Sequence, residues 1–177
     1  GDTLLDQLMR RFSESREPTC RLPISYTDFC PLGGSDERQF CSPGFNFPVG
    51  QIARTVYGQY DGYHTSLDDK ESMGIDSLIE SVDEMEHILK LMEFSGNPVN
   101  QAPYGEPQLG KRGLYPNTNA HSTRDKSGDS QKDGRMQLNY MLHVLSLADG
   151  YTSTSTIADI CKCSLDELRG AIDMLEE

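Results

Sequence analysis

The stretch Cys30–Lys70, CPLGGSDERQFCSPGFNFPVGQIARTVYGQYDGYHTSLDDK, decides how this chain is read. It joins a Gly-Gly-Ser-Asp turn at Gly33–Asp36, an apolar run between Phe45 and Tyr57, and a Tyr-His-Thr-Ser-Leu-Asp-Asp loop that sets His64 among carboxylates. Phe47, Val49, Ile52, Val56 and Tyr57 are the strand-prone side chains of the run, so a strand is expected somewhere within it. Gly58–Asp69 follows neither a helical nor a strand period, and loops on rigid scaffolds are where sites are commonly built. Ser35, Asp36 and Glu37 have two readings. They supply a support or an anchor for a substrate amine at a strand end, or Ser35 and Asp36 simply cap a helical turn through Arg38–Phe40, which is the simpler reading. Arg38 is placed to pair with either carboxylate or with a carboxylate of the substrate.

Upstream, Leu4, Leu5, Leu8, Met9 and Phe12 recur at three and four residues and predict a helix over Asp2–Phe12, capped by Asp2 or Thr3. Leu22, Ile24 and Tyr26 alternate with Arg21, Pro23 and Ser25, so Cys20–Tyr26 reads as a short strand, pushed toward an edge by Pro23. Downstream, Ile75, Leu78, Ile79, Val82, Met85, Leu89 and Met92 form the clearest stripe in the chain, a helix over Ile75–Phe94 stopped by Gly96 and Pro98. That helix is expected to pack on the sheet that carries the site loop. Asn97–Arg135 is rich in Pro, Gly, Asn and Ser; Tyr104–Pro116 holds a few apolar anchors, and Asn117–Gly134 is the best candidate for disorder. Met136–Glu177 gives three helical pieces, with Ser155 expected to cap the second and Ser164 the third, in the spacing of a helix-turn-helix or winged helix. The division is therefore 1–96, a linker over 97–134, and a small helical module over 135–177.

The totals bound the function. Among 177 residues the apolar fraction is 36%, low for a single compact core. The formal net charge of -12 argues against a nucleic-acid partner, which needs clustered Lys and Arg. The terminal module repeats this locally: between Met136 and Glu177, Lys162 and Arg169 stand against Asp149, Asp159, Asp166, Glu167, Asp173, Glu176 and Glu177. It reads as a protein-protein or intramolecular docking unit, with homo-oligomerisation as another use. No run approaches the roughly 18 apolar residues of a membrane span and no charged-then-apolar leader opens the chain, so a cytoplasmic location is the default expectation. Five cysteines without a small-scaffold framework point to thiols rather than disulfides.

His64 is the sharpest chemical candidate. A neutral imidazole in a loop beside Tyr63 and ahead of Asp68 and Asp69 suits a zinc ligand whose tautomer a carboxylate or carbonyl fixes, although a single histidine is more often only a polar residue. Glu84 and His87 have the E-x-x-H spacing of some metal helices, but their face is otherwise charged and reads as solvated. Cys161 and Cys163 lack the two-residue gap of a zinc knuckle and read as buried helix residues.

Three runs, PLGGSDERQFCSPGFNFPVG, RTVYGQYDGYHTSLDD and YGEPQLGKRGLYP, resemble the bacterial aminopeptidase-like proteins found with polysaccharide-biosynthesis genes, relatives of the co-catalytic zinc aminopeptidases that end in a winged helix. The resemblance extends over roughly Cys20–Glu177. It implies an α/β fold, namely the C-terminal portion of a mixed sheet with flanking helices followed by a winged helix. It also implies two zinc ions per complete catalytic domain and a peptide-like or amide substrate bearing a free amine. By match to the Tyr-His-Thr motif, His64 corresponds to the last zinc ligand; Ser35 and Asp36 correspond to the segment beside the substrate pocket, which Tyr63 would also line. Glu37 stands where many relatives carry His, which leaves its role open. The family's earlier His, bridging Asp and Glu-Glu pair have no counterpart before Cys20, so this chain matches the C-terminal half of the catalytic domain plus the winged helix. A non-catalytic scaffold that retained the fold is the alternative.

Overall fold

The computed structural model describes residues 2–19, 23–115 and 128–176, with side chains described from 134 onward in the last of these stretches. Among the described residues there are six helices and a single turn of 3-10 helix, and no strand. The expected mixed α/β sheet is therefore corrected: among the described residues the only pairing is an isolated bridge between Val99 and Asp149. Pro23–Tyr26 and Gln51–Ala53 run without helix or ladder, while Cys20–Leu22 lie outside the described residues. The physical reason is that strand-prone side chains supply only half of a strand. A ladder needs a second segment to receive its N–H and C=O groups, and none is present among these residues.

The chain divides into two compact units, Gly1–Met92 and Glu93–Glu177. In the first, α1 (Leu4–Ser13) starts at a capping box: the Asp6 amide donates to Thr3 Oγ1 at 3.3 Å, and the Thr3 amide donates to Asp6 Oδ2 at 2.9 Å. Satisfying two otherwise orphaned amides fixes where the helix begins. Leu8, Arg11 and Phe12 form its buried face. Arg11 would be costly there alone, but its Nε donates to Glu17 Oε1 at 2.6 Å and both side chains are almost wholly buried. The next helix, α2 (Glu37–Phe40), is one turn long; Asp36 occupies its cap position without a side-chain bond, so neither Ser35 nor Asp36 caps it in the expected way.

The long helix α3 (Ile75–Phe94) meets the N-terminal segment through His87. Its ring lies edge-on to Phe12 with centroids 5.7 Å apart, and its Nε2 sits 3.0 Å from the Pro18 carbonyl. His87 is thus a packing residue rather than part of a solvated face. The buried apolar residues of α3 are Ile88 and Leu91. The stripe read from the sequence lies elsewhere: Ile75, Leu78, Ile79, Val82, Met85 and Leu89 are all exposed.

In the second unit, α4 (Gly128–Leu147), α5 (Thr154–Cys161) and α6 (Leu165–Glu176) surround a core of Tyr140, Met141, Val144, Ile157, Ala158, Leu165, Leu168 and Ala171. Most of the Asn117–Gly134 stretch expected to be disordered lies outside the described residues, but its last seven positions, from Gly128, belong to α4. Ser153, not Ser155, caps α5, accepting from the Thr156 amide at 3.1 Å; Ser155 is one residue inside the helix and buried. Ser164 does cap α6, accepting from the Glu167 amide while Glu167 accepts back from the Ser164 amide at 2.8 Å. Cys161 ends α5 half-buried, and Cys163 lies buried in the turn beyond it rather than in a helix. Leu109, in the 3-10 turn Leu109–Arg112, is buried, which makes Tyr104–Pro116 an anchored segment at that point. The segment that opens this unit is pinned along the α4–α5 connection, with the Asn100 amide donating to Ala148 O at 2.7 Å and the Thr154 amide donating to Gly96 O at 2.8 Å.

Candidate functional site

The loop Arg54–Met73 is held in shape by short-range hydrogen bonds. Thr65 Oγ1 donates to Gly62 O at 2.9 Å and accepts from the Leu67 amide at 3.1 Å, and Ser72 Oγ donates to Leu67 O at 3.1 Å. The turn is tight at Gly62, where a Cβ would lie 3.2 Å from Leu67 O. One arm of the loop is tied to α3 by Arg54, which donates to Ser77 O at 2.9 Å and to Glu80 Oε2 at 2.6 Å. A rigid helix therefore positions an otherwise self-bonded loop.

The loop carries an aromatic cluster. Tyr63 packs at 5.8 Å from both Tyr57 and Tyr60, and the His64 imidazole stacks on the Tyr63 ring with centroids 4.0 Å apart and planes within 15°. His64 has a φ of 57°, in the left-handed region that histidine tolerates better than most residues. This conformation accompanies the stacking and leaves the imidazole exposed. Tyr60 Oη donates to Asp68 Oδ2 at 3.2 Å. Local desolvation first, then the Asp68 charge and that hydrogen bond, push the Tyr60 phenol above its ordinary pKa, so it stays a donor. The sequence reading missed Tyr57 and Tyr60; their signal was the recurrence of tyrosine at every third position from 57 to 63.

The other predicted residues lie on and just before α2, outside this loop. Ser35, Asp36 and Arg38 are exposed and Glu37 is half-buried. Arg38 Nε donates to Ser35 O at 3.5 Å, and the Glu37 carboxyl lies over Gly34, whose φ of 84° and lack of a Cβ make room for it. Among the described residues, no group of three or more His, Cys, Asp and Glu side chains is arranged to hold a metal ion. His64 is one imidazole without companion ligands, so the described residues do not by themselves constitute a zinc site. Cys30, Cys41, Cys161 and Cys163 are not in disulfides. No described helix is long and apolar enough to cross a membrane.

Comparisons with known proteins define the class. Residues 97–177 match the winged helix-turn-helix family, in keeping with the α4–α6 arrangement. Residues 1–95 match the family described as a domain of unknown function, DUF4910, and the chain belongs to that family. A curated relative from Clostridium acetobutylicum, provisionally named as a polysaccharide biosynthesis protein with an aminopeptidase-like domain, is 35% identical over 175 residues; the match takes in 99% of this chain and 37% of the relative. A crystal structure from Clostridium acetobutylicum, of a provisionally assigned peptidase, superposes with a TM-score of 0.70 at 32% identity, across 99% of this chain and 35% of that one. The chain thus spans about a third of the length of the relatives it matches. The resemblance to aminopeptidase-like proteins with a terminal winged helix holds.

Proposed function

We propose that this chain is the C-terminal part of a zinc-dependent aminopeptidase-like hydrolase that cleaves an amide or peptide bond next to a free amine, on a substrate in polysaccharide or glycan modification. The observation that carries the reading is the exposed His64 imidazole stacked on Tyr63, in the Tyr-His-Thr motif, within a chain 35% identical to a relative named for an aminopeptidase-like domain. His64 is one zinc ligand, and the remaining ligands and the general base come from outside this chain. Bound zinc in such a site supplies Lewis acidity and an activated water. This chain's part is to present the imidazole on a braced loop and to line the pocket with Tyr63, with Ser35, Asp36, Glu37 and Arg38 contributing substrate contacts.

The test uses a full-length protein that contains this chain. It is expected to hold about two zinc ions, as a paired-metal site requires, and His64→Ala should lower the zinc content. Unchanged stoichiometry in that variant removes the ligand assignment.

A second reading, a non-catalytic scaffold, is favoured by one observation: among the described residues no group of three or more His, Cys, Asp and Glu side chains gathers to hold a metal, so His64 is the one imidazole of its loop. In that reading the terminal unit recruits proteins. Its third helix begins Leu165-Asp166-Glu167 and would be repelled by phosphates, so nucleic acid is not its partner. Release of N-terminal residues from small peptides by the zinc-loaded full-length protein eliminates the scaffold reading.

A further inference from the structure

The helix α3 is apolar on two faces, and only one of them is covered. At 3.6 residues per turn, Ile88 and Leu91 fall on the same side as His87, the side that meets Phe12. Leu78, Val82, Met85 and Leu89 fall on a separate face, flanked by Ile75 and Ile79. These six side chains are between 38% and 69% exposed, whereas Ile88 and Leu91 are at 1% and 0%. A second apolar stripe on a helix is a face to be covered, and contiguous apolar patches beyond a few hundred Å² mark interaction surfaces. The neighbouring chain shows the same pattern: Phe45, Phe47, Ile52 and Val56 are exposed, and Arg54 ties their run to α3 through Ser77 and Glu80.

We propose that the Ile75–Leu89 face of α3 is the docking surface for the additional chain that the longer relatives carry beyond the matched third. Two observations select this occupant. The relatives align with nearly all of this chain yet are about three times as long, so they carry a large further body of the same protein. A second copy of this chain fits poorly, because a two-fold contact sets the same patch against itself. Asp76, Asp83, Glu86 and Glu93 lie within or beside the face, and the single lysine of the helix, Lys90, already pairs with Glu86 at 2.7 Å. A self-complementary contact would bring these carboxylates together, and like charges across an interface oppose association. The inference is independent of the hydrolase reading, since coverage of the face requires no catalysis.

The test is hydroxyl-radical footprinting of two proteins: the 177-residue chain, and a full-length chimera in which this chain replaces the matched third of the Clostridium acetobutylicum relative. Labelling of Leu78, Val82, Met85 and Leu89 is expected to fall at least fivefold in the chimera, while Ile88 and Leu91 remain protected in both. In the chimera, Leu78→Asp with Val82→Asp should restore the labelling of Met85 and Leu89. Equal labelling of the face in the two proteins overturns the proposal. Protection already present in the 177-residue chain, with a dimer mass in solution that the same substitutions abolish, overturns it in favour of a second copy. If the chimera does not fold, the tagged chain is co-expressed with the complementary part of the relative. Co-purification lost on Leu78→Asp with Val82→Asp supports the proposal, and failure to co-purify overturns it.

Discussion

Removing one partner of the Arg11–Glu17 pair should cost the first unit a large share of its stability, whereas removing both should not. The two groups approach to 2.6 Å, with side-chain exposures of 4% and 0%. Taking either away leaves the other charge in a site that water does not reach, and breaking a buried pair in this way typically costs about 3–5 kcal/mol. A domain of ordinary stability has roughly 5–15 kcal/mol in total, so Arg11→Met or Glu17→Gln alone should remove a large share of it and bring a unit at the low end of that range close to unfolding. The pair itself is worth far less, because desolvation of both charges offsets much of their attraction; Arg11→Met with Glu17→Leu is expected to be neutral or stabilising. Two compact units need not unfold together, and the chain has no tryptophan to report on one of them. The assay is therefore native-state hydrogen exchange of the α1 amides, Leu4–Ser13, which reads local opening directly. Single variants that shift the α1 opening energy by less than about 1 kcal/mol, or a double variant that loses the sum of both, would refute the reasoning.

The other predictions concern one phenol and one core side chain. Tyr26 donates toward Asp6 at 3.0 Å and Asp28 at 2.9 Å, and desolvation followed by these two bonds pushes its pKa from 10.0 up to about 12. A raised folded-state value means that the protonated phenol is the stabilising form: its contribution is complete below pH 10 and is lost as the pH rises toward about 12. An ultraviolet titration should lose its latest-ionising component on Tyr26→Phe, while the other raised phenols, Tyr60, Tyr115 and Tyr140, remain; a titration unchanged by that substitution refutes the assignment. In the second unit, Leu168 is fully buried, and Leu168→Ala should destabilise the winged-helix unit by about 2–5 kcal/mol in urea denaturation followed by circular dichroism. A loss under 1 kcal/mol would mean that the core is not packed around it.

Much of the helical content was legible in the sequence because it is local. Thr3 with Asp6, and Ser164 with Glu167, are three residues apart, and a cap closes within a single turn whatever lies beyond it. The same locality explains the error at α5, where Ser153 and Ser155 are both good caps and only backbone geometry chooses Ser153. The candidate site was half legible. His64 and Tyr63 stood out by motif, but the tyrosine cluster around them depends on how Gly58–Asp69 folds back on itself, which no period announces.

What the sequence by itself determined is the set of helices, the acidic character of the terminal unit and the family resemblance. These rest on neighbours within a turn, on charge, and on motif. Tertiary structure alone decided three things. It turned the strand-prone run Phe45–Tyr57 into chain without a ladder, because pairing requires a partner segment that propensity cannot create. It made His87 a packing residue, by bringing Pro18 and Phe12 to it across about seventy positions of chain. It also showed which apolar face of α3 is covered: periodicity says that a stripe will be buried, but only the three-dimensional arrangement of neighbours says against what.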